Sequence, residues 1–432
     1  MKWLQVIYGK IMKKNYISKS IIHFSDDDVL IRSSSRVVRV CNHRIKKNTD
    51  IKLPFVLPRD LHFNIPLFKR LLRSESKEVI YDKESDKLII IRDASVYLIQ
   101  DSKYKLVGLI DGDAPLFNSH CIHNKIIYFG QYDQNKTRKS SKIYKIDEKN
   151  KISIAHTFLP GEIRHVHSIT NDLYIENRMW ITTGDNDGEC MLLYTDDNFK
   201  NISNIGDKSQ DFRIVNLGFS KDYLFYGTDN LIKENYIYRQ NRSDGKRKKV
   251  LSIKQTAWFL KQDKKGNAVL GTTVENGKGC QVNYSSIYYS SDFGTTWIEL
   301  LRIPKDSYPM PLFKWGSVSF SNGAENLDNL FINVEGLKYL SGSSSNLGFL
   351  VNFSEKDLRR IEVKKKDYFD NNAHLMLIIY RLFSLYKNTQ DLRFLNLLLK
   401  LIDWMPIYSI FQKKELRIKA LKIYEGINNS SN

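Results

Sequence analysis

From Phe24 onward, short apolar runs of strand length alternate with polar turns, and the unit recurs at about 40 to 50 residues. In its fullest copies an apolar run ends in glycine plus a polar residue, a polar hairpin follows, and the next run carries an apolar residue beside tyrosine. Ile126 to Gly130 leads to Ile143 and Tyr144, Trp180 to Gly184 leads to Leu193 and Tyr194, Leu224 to Gly227 leads to Ile237 and Tyr238, and Ala268 to Gly271 leads to Ile287 and Tyr288. The four glycines are spaced 54, 43 and 44 residues apart (130, 184, 227, 271). Further runs at Val29 to Val40, Leu88 to Ile99 and Leu330 to Val351 supply more copies. No helical spacing separates them, so the pattern predicts an all-β chain: a β-propeller of six to eight blades, seven by our count, over residues 24–353. Residues 1–23 form an N-terminal segment expected to add a closing strand or lie on the rim.

After about Phe353 the texture changes. Leu375 to Tyr386 and Leu392 to Ile402 carry apolar residues at helical spacing, Trp404-Met-Pro406 interrupts, and Ile407 to Tyr424 resumes. Residues 354–432 are therefore expected to form a small α-helical appendage docked on the propeller. Peripheral contact with a membrane surface through its apolar faces is the competing expectation.

The best-defined turn is Ser290-Ser-Asp-Phe-Gly-Thr-Thr-Trp297, where Ser290 and Asp292 can bond the turn backbone, Gly294 can take a positive φ and Trp297 supplies an apolar plug. The pattern resembles the Asp box, or BNR repeat, of sialidase-like propellers, in which the box is structural. Thr195 to Ile202 looks like a decayed copy, with Phe199 in place of the glycine and Ile202 in place of the tryptophan.

Composition narrows the function classes. The 432 residues carry 67 Lys and Arg against 48 Asp and Glu, a formal net charge of +19. The lysines fall mostly in turns, and no zinc-finger spacing, RNP-like aromatic string or long basic helix accompanies them, so no nucleic-acid partner is expected. An acidic glycan or an anionic membrane surface suits the charge. Cys41, Cys121, Cys190 and Cys280 lie far apart with no Cys-x-x-Cys pair, which suits isolated thiols in a reducing compartment. No apolar run reaches the ~18 residues of a spanning helix, and the N-terminus lacks a signal-peptide pattern. A cytoplasmic location, with inner-membrane contact as the variant, is the expectation.

A propeller gathers its polar site at the central channel, where equivalent strand ends converge. The richest candidates are His165 and His167, which strand alternation would place on one face, with Asp185 after Gly184. Such a set can move a proton, hold an anionic sugar or bind a divalent ion, and the sequence names neither metal nor cofactor. His120, Gln131, Tyr132, Arg164, Asp187, Glu189 and Glu275 are the supporting candidates for substrate binding. Each also has a bland reading as a turn cap or solvated residue.

The run from Ile127 to Tyr132, through Arg164 to Ser168, to Trp180 to Asp185 is similar to a group of bacterial and archaeal BNR-type proteins labelled glycosyl hydrolases and associated with surface-polysaccharide genes. The resemblance extends over Cys121 to Trp297. It implies a glycan or glycan precursor as partner and a glycosidase-like activity. The chain departs from sialidases in that Arg302-Ile-Pro304 follows the Asp box and no arginine triad is legible, so sialic acid is not implied. A non-catalytic scaffold in polysaccharide assembly is the alternative.

Overall fold

The computed structural model describes residues 20–351, apart from 25–27, 34–35, 42–48, 62–69, 75–77, 101–102, 324–326, 328–329 and 338–346. The expected helical appendage and residues 1–19 lie outside the described residues.

The chain is a β-propeller. Four-stranded antiparallel meanders follow one another as blades I (20–52), II (78–109), III (121–158), IV (165–204), V (218–253) and VI (256–304). Three antiparallel strands of blade VII (316–351) complete the ring among the described residues. The first strand, Ser20–Phe24, begins inside the N-terminal segment set apart in the sequence. It meets blade VII through a bridge between His23 and Asn322, so the beginning and end of the repeat are neighbours.

Hydrophobic burial explains why the blades stack. The middle strands bury both faces: every residue of Met179–Gly184 and Ala268–Val274 is buried. The outer strand Lys103–Leu109, by contrast, is largely exposed. Each apolar cluster is shared by consecutive blades. Ile80, Ile89 and Val96 of blade II pack with Phe129 and Tyr144 of blade III. Tyr128 and Ile143 of blade III pack with Ile169 and Ile181 of blade IV, and Phe225 of blade V packs with Leu270 and Trp297 of blade VI. A lone blade could not cover these faces.

The repeated sequence features have separate mechanical roles. Register shifts between the third and fourth strands fall at Val96/Tyr97, Ile143/Tyr144, Ile237/Tyr238 and Ile287/Tyr288. In these four blades the apolar–tyrosine pair is where a β-bulge bends the outer strand and increases its twist, whereas Leu193 and Tyr194 of blade IV pair without a shift. A Cβ on Gly130 would collide with Val166, and one on Gly227 with Ala257. At these positions the second strand of one blade lies against the first strand of the next, and no side chain fits between them.

The segment before blade III fills the centre of the ring. The Asn118 amide nitrogen donates to Glu78 Oε1 of blade II at 2.9 Å, and Asn118 Nδ2 donates to the Phe320 carbonyl of blade VII at 2.9 Å. The Phe117 ring meets Phe259 of blade VI at 6.2 Å, and the Ser119 carbonyl accepts from Ile169 of blade IV at 3.0 Å. Three consecutive residues reaching blades II, IV, VI and VII can do so only from the axis.

Candidate functional site

Blade IV supplies the centre of the site. In its pairing Val166 opposes Thr183 and Ser168 opposes Thr182, which leaves His167 as the extra residue of a β-bulge. The two imidazoles do converge, with ring centroids 5.1 Å apart, but plain alternation is not what aims them. The bulge turns His167, and Gly184 makes room for it: a Cβ there would strike the His167 ring. His165 and His167 are each 2% exposed. The His165 ring stacks at a tilt on Tyr132, with centroids 4.3 Å apart.

Both rings are held by main-chain carbonyls. His165 Nδ1 lies 2.7 Å from the Asp133 carbonyl and His167 Nδ1 lies 2.9 Å from the Ile214 carbonyl. Their other nitrogens face one atom, Asp185 Oδ1, at 3.5 Å from His165 Nε2 and 3.0 Å from His167 Nε2. Arg164 Nη1 bonds Asp185 Oδ2 at 2.6 Å, and Arg213 Nη2 lies 3.1 Å from Oδ1.

Arg213 links this group to a second one. Its Nε donates to Asp229 Oδ2 at 3.1 Å, and Trp258 Nε1 donates to Asp229 Oδ1 at 2.8 Å. Trp258 is itself the extra residue of a bulge, since Ala257 opposes Thr272 and Phe259 opposes Gly271. Glu275 lies within electrostatic reach of Asp229 and accepts from Thr256 Oγ1 at 2.8 Å. Residues from blades III, IV, V and VI therefore meet in one network at one mouth of the channel.

The carboxyls are tuned in opposite directions. Burial, reinforced by the Asp229 charge, pushes Glu275 up to about 8, and burial also raises Asp229 despite Arg213. Desolvation works against ionising Asp185 too, but its contacts with His165 and His167 outweigh it and keep the carboxyl well below the usual range. Burial lowers the His165 imidazole, with Asp185 opposing, and raises the Tyr132 phenol.

The supporting candidates divide. Arg164, Tyr132 and Glu275 join the site. Gln131 braces the strand edge, accepting the Lys142 amide at 3.1 Å and bonding Asp133 Oδ2 at 3.2 Å. Asp187 accepts the Gln210 amide at 3.2 Å, and Glu189 pairs with Arg138 and receives Asn186 Nδ2 at 3.3 Å. Both order the turn behind Asp185. His120 sits with Glu78 Oε1, 2.5 Å from its Nδ1, and among the described residues no hydrogen bond or ion pair joins it to the His165 group.

Arg213, Asp229 and Trp258 were not singled out in the sequence. Asp229 was within reach, because it follows Gly227 as Asp185 follows Gly184, one residue displaced. Arg213 lies just after a short 3-10 turn between blades, Gln210–Phe212, outside the repeat, and carries no comparable signal.

No protein-family model and no curated protein matches the chain. Among solved structures it is similar to streptogramin B lyase, at 11% identity over 77% of this chain and 92% of that one, with a TM-score of 0.47. Sqt1 of Saccharomyces cerevisiae matches at 12% identity, over 77% of this chain and 88% of that one, with a TM-score of 0.44. The extracellular domain of a one-component system of B. thetaiotaomicron matches at 12% identity and a TM-score of 0.41; 77% of this chain is covered, spanning 38% of the length of that one. These likenesses concern architecture alone, and the chain's architecture is that of a β-propeller.

Proposed function

We propose that this propeller binds a glycan or glycan precursor at the channel mouth and cleaves a glycosidic bond by acid–base chemistry. The observation that carries the reading is the opposite tuning of two carboxyls in one network: Glu275 keeps its proton near neutral pH, whereas Asp185 stays ionised. Such a separation is what an acid and a charge-stabilising partner require. In this reading Glu275 gives its proton to the leaving glycosidic oxygen. Asp185 stabilises the positive charge that develops on the sugar ring, the wall formed by His165, His167 and Asp185 holds the attacking water, and the Glu275 carboxylate left by the first step takes that water's proton and so regains the acid form.

The surroundings fit an oxygen-rich, ring-shaped ligand. Tyr132 and Trp258 offer flat apolar faces, and Arg164 and Arg213 offer forked donors. Cys121, Cys190 and Cys280 are unpaired thiols, which suits a glycan precursor handled in a reducing compartment such as the cytoplasm. Among the described residues no helix is long and apolar enough to cross a membrane.

The test is turnover on a panel of surface-polysaccharide fragments and oligosaccharides. Asp185→Asn and His167→Ala should each lower turnover at least about a hundredfold, the usual scale for a group acting in the transition state, without a comparable loss of thermal stability. Wild-type protein that binds and cleaves none of the panel would overturn the reading. So would variants whose folded fraction keeps full activity, and a scaffold would then be the better description.

A further inference from the structure

We infer that His165 Nε2, His167 Nε2 and Asp185 Oδ1 form a binding site for a divalent transition-metal ion, best matched by zinc. The inference goes beyond the glycan reading and does not depend on it.

Three observations converge. The three ligand atoms lie within 4.8 Å of one another. Both Nδ1 atoms face main-chain carbonyls, which accept and cannot donate, so both rings carry a proton on Nδ1, and loss of the Nε2 proton from either ring turns a lone pair toward Asp185 Oδ1. With Nε2 deprotonated, two lone pairs face a carboxylate oxygen that Arg213 Nη2 also reaches at 3.1 Å, and a cation seated among the three atoms takes the place of the protons that otherwise bridge them. His165 Nε2 is the clearest sign, because it is buried and has no hydrogen-bond partner.

At His165 the spacing favours a metal ion over a bound proton, whereas the 3.0 Å separation at His167 suits either. Zinc–ligand bonds of about 2.0 to 2.1 Å at the tetrahedral angle hold two ligand atoms about 3.3 to 3.4 Å apart. The Nε2 to Oδ1 separations of 3.5 and 3.0 Å bracket that edge length, whereas 3.5 Å is long for a charged hydrogen bond. Two imidazoles and one carboxylate are a zinc-type donor set, and a half-buried Asp185 at the mouth leaves a fourth position for water or substrate.

The supporting contacts are those a metal centre needs. The Asp133 and Ile214 carbonyls fix both rings in the tautomer that ligates through Nε2, and Arg164 and Arg213 orient the carboxylate. The Arg213 charge is offset by its pairing with Asp229. The Glu78–His120 pair offers a built-in control, since it is a second histidine–carboxylate contact without a second imidazole.

The experiment is metal binding by the full-length protein. Chelator-stripped wild type should take up one zinc per chain, and cobalt(II) should give the intense visible bands of a four-coordinate site. His165→Phe, which keeps a ring against Tyr132, and Asp185→Asn should weaken binding by more than about a hundredfold, beyond the range for losing an outer partner. His120→Ala should bind as wild type does. Added zinc should raise the melting temperature of wild type and not of His165→Phe, which keeps the result readable if one variant folds poorly. Failure of wild type to bind either ion, or equal uptake by wild type and His165→Phe, would overturn the site. None of these readouts needs a sugar, so they stand or fall apart from the glycosidase reading.

Discussion

Glu275 couples the site to the stability of the fold. Its carboxyl holds a proton up to about 8 in the folded chain against an ordinary value of 4.5. Between those pH values the unfolded chain binds fewer protons than the folded one, so this group lowers stability as pH rises through the interval. Glu275→Gln removes that dependence. Melting temperatures across pH 5 to 8 should therefore fall less steeply in the variant than in wild type, and parallel curves would contradict the assignment. Trp297 acts through packing: its ring is 7% exposed, stands edge-on to Phe225 at 5.9 Å and donates from Nε1 to the Gly294 carbonyl at 3.1 Å. Trp297→Ala should cost ~3–5 kcal/mol in denaturant unfolding, with activity of the folded fraction unchanged. Trp297 could be picked out of the sequence because a large indole after a Gly-Thr-Thr turn has few uses besides plugging a strand gap. His167 could be named but not aimed, since a bulge leaves no periodic signature.

At the scale of elements, the Asp-box turn and its altered copy share one hydrogen-bond skeleton. Ser290 Oγ receives the Gly294 amide at 3.0 Å, and Asp292 Oδ1 receives the Thr296 amide at 2.9 Å. In blade IV, Thr195 Oγ1 receives the Phe199 amide at 3.0 Å, and Asp197 Oδ1 receives the Asn201 amide at 2.9 Å. Phe199 adopts φ 71°, close to the 73° of Gly294, so the turn persists without glycine at the cost of backbone strain. Phe199 offsets that cost by burying its ring against Tyr128. Gly294→Ala has no such outlet, because a Cβ there would collide with Phe225. We expect a loss of at least ~1–2 kcal/mol in urea unfolding, and a neutral result would contradict this account of the turn. These elements were legible because hydroxyl, carboxylate and glycine must stand at fixed offsets for the turn to close. The bulges at Ile143/Tyr144 and Ile287/Tyr288 showed only as an apolar–tyrosine pair whose purpose needed the register.

For the whole molecule, the repeat length and the glycine at or near the end of the second strand in blades III to VI made the propeller readable, since blades must stack at a constant spacing. The axial segment was not readable: Phe117 and Asn118 belong to no repeat, yet they tie blades II, VI and VII together. Asn118→Ala should cost ~1–3 kcal/mol, as expected when buried partners lose a donor, while the unfolding midpoint of a variant in the exposed Lys246 turn stays put. His165, His167, Asp185 and Glu275 were found because corresponding strand ends gather around one axis; Arg213 and Trp258 were missed because their positions depend on an inter-blade turn and a bulge. The central claim is that Glu275 serves as the proton donor at a glycan-cleaving channel mouth, and leaving-group dependence tests it most directly. Turnover of wild type and Glu275→Gln should be compared on one sugar carrying either an alkyl or a dinitrophenyl leaving group. The variant should lose at least about a hundredfold on the alkyl glycoside and little on the dinitrophenyl one, whose departure needs no proton. Equal losses on both, or no loss on either, would contradict the account.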